Sequence, residues 1–141
     1  KGGGSGLAST IEDYFKFSQM LLNGGEFNGK RILSRKTIEL MTMNHLPNNK
    51  TLLDMNAGGG FSEVRYQGMG YGLSMAVTVD QAATQISGTA GSYNWGGMAS
   101  TFFWIDPKES LLGIFMTQLR PSTTFPFRGQ MQAMVYGSFE D

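Results

Sequence analysis

The sequence predicts an α+β fold in which an antiparallel sheet is flanked by helices. Apolar residues recur at helical spacing near both ends of the chain. Between these segments lie a stretch in which large and small residues alternate and two apolar runs joined by an Asp-Pro turn, as expected of strands. With 141 residues, the chain has the length of one ordinary domain or of part of one.

Two amphipathic helices are predicted in the first third of the chain. The first covers about residues 9–23, where Ser9 begins a capping-box pattern and an Asn-Gly-Gly sequence marks the end. The second covers about residues 34–44, with Ser34 as its N-cap and a proline shortly beyond its end. Residues 47–70 are polar and rich in glycine, which indicates a loop.

The strands are predicted in the second half of the chain. One segment carries a large residue at every second position, which is the period of a strand with one large-residue face. Two later runs are apolar on both faces and should form a hairpin in a sheet covered on both sides, because Asp106-Pro107 between them suits a type I turn. A final helix could supply one of the covers. The predicted ranges are strands at about 71–79, 84–88, 98–105 and 111–119, and a helix at about 126–139.

The composition argues against several classes of function. Charges balance at 11 basic and 11 acidic residues, and no basic run points to a nucleic-acid partner. No apolar run approaches the length of about 20 residues that a membrane span needs. The chain has no cysteine and a single histidine, His45, so neither a disulfide framework nor a Cys/His metal site is expected. No metal or organic cofactor is implied.

The strongest candidate for a site is the sequence Trp95-Gly96-Gly97, which lies just before the predicted hairpin. Glycines weaken a strand and are often kept where a ligand or another backbone approaches closely. The sequence therefore allows two interpretations: a substrate-facing strand whose amides reach a bound group, or a bulge or bend in the sheet.

Other motifs are interpreted as structural. Residues 24–30 have the spacing of a phosphate-binding loop, but Arg31 stands where a Ser or Thr is required, and a helix precedes the motif instead of a strand. Asp106 and Glu109 are interpreted as solvated turn residues. Tyr136 is interpreted as part of the final helix and not as a catalytic tyrosine motif.

Three segments, taken in order, resemble the C-terminal part of serine β-lactamase-like hydrolases and esterases. They read GGGSGLASTIEDYFKFSQMLLNGGEFNGKRILSRKTIELM, then GYGLSMAV, then GSYNWGGMASTFFWIDPKESLLGIFMTQ. The resemblance covers nearly the whole chain. It implies the C-terminal portion of a β-lactamase or penicillin-binding-protein-like fold, with the active site between the sheet and a helical region.

The resemblance also implies roles for individual residues. Catalysis in that family uses a serine in a Ser-x-x-Lys motif, a tyrosine motif and a strand motif that is commonly Lys-Thr-Gly. Trp95-Gly96-Gly97 resembles the esterase-type variant of the strand motif, which implies that these residues bind substrate. It further implies that the backbone amide of Met98 is one donor of the oxyanion hole. Gly3 and Gly4 are expected as substrate-binding loop neighbours.

No serine of this chain has a lysine three positions later, so the nucleophile motif is absent from it. The preferred hypothesis is a C-terminal fragment of a larger esterase or acyl-transfer enzyme that acts on a small ester or amide, the fragment being inactive by itself. Its expected partner is the N-terminal part of the same protein or a second copy, because missing strands would leave an uncovered edge and an apolar face. The alternatives are a non-catalytic ligand-binding module and a subunit completed by a second chain.

Overall fold

The structure is a computed structural model that describes residues 7–55 and 66–140. It confirms the predicted class, an antiparallel sheet flanked by helices. The elements in chain order are helix α1 (Ile11–Leu22), strands β1 (Glu26–Phe27) and β2 (Lys30–Arg31), helix α2 (Arg35–Met41), strands β3 (Met69–Tyr71) and β4 (Ala76–Thr78), helix α3 (Gln81–Thr84), strands β5 (Tyr93–Gly96), β6 (Phe102–Asp106) and β7 (Leu111–Phe115), and helix α4 (Phe127–Tyr136).

Helix α1 lies within its predicted range, but its N-cap is one residue later than predicted. The side chain of Thr10, and not that of Ser9, accepts a hydrogen bond from the Asp13 amide at 3.2 Å. At the other end the Gly25 amide donates to the Met20 carbonyl at 2.8 Å. This bond closes the last turn of the helix at the predicted Asn-Gly-Gly sequence.

Helix α2 has the predicted cap, since the Ser34 hydroxyl accepts a hydrogen bond from the Thr37 amide at 3.0 Å. The helix ends at Met41, before the predicted end at residue 44. The loop predicted for residues 47–70 contains a 3-10 turn at Pro47–Asn49, and part of that loop lies outside the described residues.

The five-stranded sheet has the order β3-β4-β5-β6-β7, and every neighbouring pair is antiparallel. The predicted hairpin is confirmed as β6 and β7, in which Phe102 pairs with Phe115 and Asp106 with Leu111. The strand predicted for residues 98–105 begins later, at Phe102. It does so because residues 97–101 form the turn between β5 and β6, in which the Gly97 amide donates to the Thr101 carbonyl at 2.9 Å.

The strand predicted for residues 71–79 is wrong, because the segment forms the two antiparallel strands β3 and β4. Between them Ser74 adopts a left-handed φ of 76°, and the chain reverses. Gly72 enters this turn where the Met41 carbonyl occupies the place of a side chain, and the Leu73 amide donates to the same carbonyl at 2.8 Å. The end of α2 therefore sets a turn that residue alternation alone does not reveal.

The strand predicted for residues 84–88 is also wrong. The chain instead forms the short helix α3, whose N-cap Asp80 accepts a hydrogen bond from the Ala83 amide at 3.1 Å. The helix ends at Gln85, which has a left-handed φ of 56°. An aspartate cap at the start of a segment rich in alanine favours a helical turn over a strand.

Alternation along the central strands places the two faces of the sheet in different environments. One face packs against α1 and α2 and forms the main hydrophobic core. The opposite face is covered by α4, where the ring centroids of Phe115 and Phe127 lie 5.4 Å apart. The buried residues of the core face, with the helix residues packed on them, are Met20, Leu21, Ile38, Met75, Val77, Tyr93, Phe103 and Ile105.

Asp106, interpreted from the sequence as a solvated turn residue, is fully buried beneath α4. Its carboxylate accepts hydrogen bonds from the Tyr136 hydroxyl at 2.7 Å and from the Thr89 hydroxyl, which lies 2.5 Å from both oxygens. The amides of Lys108 and Glu109 also donate to it, at 3.2 and 3.3 Å. The interpretation failed because the side chain turns inward, where neutral donors from three segments surround it.

Candidate functional site

A cleft of about 450 Å³ lies at the end of the sheet, beside the start of α1. Trp95, Gly96 and Gly97 line it, so these three predicted site residues share one surface. None of the described residues that line the cleft carries a charged side chain, which suits it to a neutral and largely apolar group. The other lining residues are Leu7, Ser9, Tyr14, Thr101, Phe102, Phe103, Ile114, Phe115 and Met116.

The Trp95 side chain is held by two tyrosine rings. Trp95 pairs with Phe103 across β5 and β6, which places its side chain on the α1 face of the sheet. Its ring lies edge-on to Tyr71 at a centroid distance of 5.3 Å and stacks on Tyr66 at 6.4 Å. With 36% of its surface exposed, the indole still presents apolar area and one N–H donor.

Tyr14 brings a hydroxyl to the same cleft from α1. Its ring packs edge-on against Phe103 at a centroid distance of 5.2 Å. Burial raises the pKa of this hydroxyl above its ordinary value of 10.0, so it is neutral near pH 7. Tyr14 can therefore donate or accept a hydrogen bond there but does not supply a negative charge.

Gly96 has a structural role that the sequence did not reveal. A Cβ at this position would lie 2.5 Å from Nη2 of Arg128, which reaches the sheet from the first turn of α4. The Arg128 side chain is only 4% exposed, and its guanidinium lies 5.5 Å from the centroid of the Phe102 ring. Sequence reasoning missed Arg128 because the acceptors described for it, Gly97 and Thr101, are backbone carbonyls, which residue types do not reveal.

Arg128 joins both ends of the turn between β5 and β6. Its Nη2 donates to the Gly97 carbonyl at 3.1 Å and lies 3.4 Å from the Thr101 carbonyl. The same turn carries Met98, the residue whose amide was predicted to be an oxyanion donor. Met98 is 54% exposed and lies beside the cleft without lining it.

The amide of Met98 makes no backbone hydrogen bond within residues 7–55 and 66–140. It is thus available to a ligand, as an oxyanion donor must be. Gly3 and Gly4 lie outside the described residues. Within the described ranges, no three His, Asp or Glu side chains are grouped as metal ligands, and no helix is long and apolar enough to cross a membrane.

The family model described as Beta-lactamase matches residues 1–135 of this chain. Protein Rv1367c of Mycobacterium tuberculosis (strain ATCC 25618 / H37Rv) is 31% identical over 121 residues, which is 84% of this chain and 29% of that protein. An uncharacterized protein, MT1414, from strain CDC 1551 / Oshkosh of the same species matches to the same extent. The chain thus spans about three tenths of the length of these relatives.

Several solved structures have folds similar to this chain. EstCE1, described as a hydrolase with promiscuous acyltransferase activity, superposes with a TM-score of 0.69 at 22% identity, over 90% of this chain and 29% of that one. Unliganded simvastatin synthase (LovD) from Aspergillus terreus gives 0.72 at 19% identity, over 91% and 33%. A penicillin-binding protein homolog from Caulobacter crescentus gives 0.62 at 15% identity, over 87% and 30%. At these identities the likeness concerns the fold.

Proposed function

This chain belongs to the β-lactamase family, and we propose that it forms the acyl-binding wall of a serine hydrolase that acts on esters or transfers acyl groups. The observation that carries the proposal is the position of Trp95 on a cleft whose described lining has no charge. Gly96 and Gly97 continue that wall, and the Met98 amide supplies one oxyanion donor. Gly3 and Gly4 belong to the proposed substrate loop by resemblance only.

The residue at position 95 bears on the choice of substrate. A lysine in the strand motif can hold a substrate carboxylate as a point charge, whereas an indole offers one neutral donor and a large apolar face. A cleft walled by Trp95 and aromatic neighbours therefore favours a neutral acyl group over an anionic β-lactam. EstCE1, which has a similar fold and is described as a hydrolase with promiscuous acyltransferase activity, supports this direction.

The chain by itself is proposed to be inactive. An oxyanion donor stabilises a charge that develops only after a nucleophile attacks, and no serine here is followed by lysine in the Ser-x-x-Lys pattern. Its coverage of about three tenths of its relatives supports a parent protein that supplies the nucleophile.

The proposal is tested on the longer protein, with p-nitrophenyl butyrate and nitrocefin as competing substrates. We expect ester hydrolysis to be the faster reaction. Trp95→Lys should raise the ratio of nitrocefin to ester turnover at least about tenfold, and the control Trp95→Phe should not. A parent that cleaves nitrocefin far faster than the ester would overturn the substrate assignment.

The 141-residue chain provides the second arm of the test. It should take up no fluorophosphonate label and should not hydrolyse the ester. A covalent adduct on one of its own side chains, in a preparation free of longer forms, would overturn the proposed division of roles.

A second candidate is a non-catalytic binding module or a subunit completed by another chain. Strand β7 is one of the two edge strands of the described five-stranded sheet, and Leu7, Ile11 and Met116 near it are exposed. Such an edge can pair with another chain. Light scattering should show self-association, or a complex when the N-terminal part of the parent is added. A monodisperse monomer that binds neither would contradict the proposed association, whereas ligand binding without any turnover by the parent would favour the module.

A further inference from the structure

We propose that Arg128 is a positioning residue that aims the Met98 amide at the oxyanion. The inference rests on the proposed function and adds to it a residue outside the strand motif. Its basis is the hydrogen bond from Arg128 to the Gly97 carbonyl, which belongs to the same peptide unit as the Met98 N–H.

The planarity of the peptide bond couples these two groups. In a trans peptide the carbonyl of one residue and the N–H of the next point in opposite directions. Arg128 holds the Gly97 carbonyl from the α4 side of the sheet, at 3.1 Å. The Met98 N–H is therefore directed away from α4, toward the face of the sheet on which Trp95 lies.

The position of Arg128 is itself restricted. Its side chain is 4% exposed, rests on the Phe102 ring and fills the space where a side chain at Gly96 would stand. A second hydrogen bond, at 3.4 Å, reaches the Thr101 carbonyl. A charged nitrogen that reaches carbonyls at both ends of a turn, on a buried side chain, permits little rotation of the peptide between those ends.

Ser100 fixes the turn independently of Arg128. Its hydroxyl donates to the Leu119 carbonyl at 2.8 Å, and its amide donates to the Gly97 carbonyl at 3.1 Å. The Gly97 carbonyl thus accepts from both a neutral amide and a guanidinium. Hydrogen bonds in series polarise one another, so the charged donor also makes the Met98 N–H a stronger donor.

The first test measures peptide orientation in the 141-residue chain by NMR. Arg128→Met should change the carbonyl 13C shift of Gly97 and the amide shifts of Met98 and Thr101, while Arg128→Lys should change them less. Gln130→Met, an exposed position on the same helix, should leave them unchanged. Unchanged Gly97 and Met98 shifts in a folded Arg128→Met variant would overturn the proposal.

The second test measures ester hydrolysis by the longer protein. Because the oxyanion exists only in the transition state, Arg128→Met should lower kcat at least about tenfold and leave KM within about twofold. Arg128→Lys should recover part of the loss, and Gln130→Met should match the unmodified enzyme. Unaltered kcat, or a change in KM alone, would contradict the positioning role.

The proposal can still be tested if Arg128→Met does not fold or if the unmodified parent does not hydrolyse the ester. If Arg128→Met does not fold, Arg128→Lys decides: an intermediate kcat supports the proposal and the full unmodified kcat contradicts it. If the unmodified parent shows no ester hydrolysis, the proposed function fails, whereas the NMR comparison still decides whether Arg128 orients the peptide.

Discussion

The two ends of strand β6 are both held by side chains of helix α4, but their surroundings differ. At the start of the strand, Arg128 of α4 donates to backbone carbonyls of the turn that carries Met98. At its end, Tyr136 of α4 donates to the buried carboxylate of Asp106. The first end lies beside an open cleft, and its Met98 amide makes no backbone hydrogen bond among the described residues. The second end is closed, and its acceptor is surrounded by donors.

Element geometry explains how one helix reaches both ends. From Arg128 to Tyr136 a helix rises about 12 Å, and from Phe102 to Asp106 a strand extends about 13 Å. The distance along α4 between the two anchoring residues therefore matches the length of β6, so one helix contacts both ends of the strand. The closed end therefore stabilises the fold, whereas at the cleft end a similar anchor holds a peptide whose N–H makes no backbone hydrogen bond among the described residues.

The largest expected effect on stability is at the closed end. Asp106→Ala removes the buried common acceptor of the Tyr136 and Thr89 hydroxyls and of two turn amides, and it leaves these partly buried donors without that partner. We expect the free energy of unfolding to fall by at least about 3 kcal/mol, as measured by urea denaturation.

The control at the closed end is Glu109→Ala, an exposed change in the same turn that should cost less than about 0.5 kcal/mol. If Asp106→Ala does not fold, Asp106→Asn keeps an acceptor and should show a smaller loss. Equal stabilities of the Asp106 and Glu109 variants would show that the buried carboxylate does not anchor this end.

The second largest effect on stability is expected at the cleft end. Gly96→Ala places a methyl group against the Arg128 guanidinium and should cost about 2 kcal/mol through overpacking. In the Arg128→Met background the same change should cost at least about 1 kcal/mol less, because the flexible thioether can move aside. Strictly additive losses in this double-mutant cycle would mean that Gly96 is not required for the close approach of Arg128.

Local sequence patterns predicted two of the helices and the β6–β7 hairpin. Helical spacing and cap residues located α1 and α2, and Asp106-Pro107 located the β6–β7 hairpin. The two wrong strands have local causes that propensity underestimates, namely the left-handed Ser74 and the Asp80 cap. Alternation of residues describes a face, but it does not show where the chain reverses.

The candidate site was predicted in part, from glycines within a strand and not from helical spacing or cap residues. Trp95, Gly96 and Gly97 attracted attention because glycine in a strand signals a close approach, and all three line the cleft. The sequence could not show that the group approaching Gly96 is Arg128, because helix and strand meet only in the folded chain. The inward turn of Asp106 was hidden for the same reason, since its partners come from distant segments.

The smallest expected effect concerns the hydroxyl that joins α4 to the closed end. Tyr136→Phe should cost about 1 kcal/mol near pH 7, because Asp106 keeps its other donors. Burial, followed by the hydrogen bond to Asp106, raises the pKa of the Tyr136 hydroxyl above the ordinary value of 10.0.

This shift of pKa gives the Tyr136 prediction a pH dependence with a definite sign. The folded state favours the neutral hydroxyl, so its contribution is complete below pH 10, where the unfolded chain also keeps the proton. Above pH 10 the unfolded chain loses that proton first, and the contribution declines as the pH rises. Urea denaturation at pH 9 and pH 11 should therefore show a smaller loss of stability for Tyr136→Phe than for the unmodified chain. Equal losses in both proteins would indicate that Tyr136 does not hold its proton through the contact with Asp106.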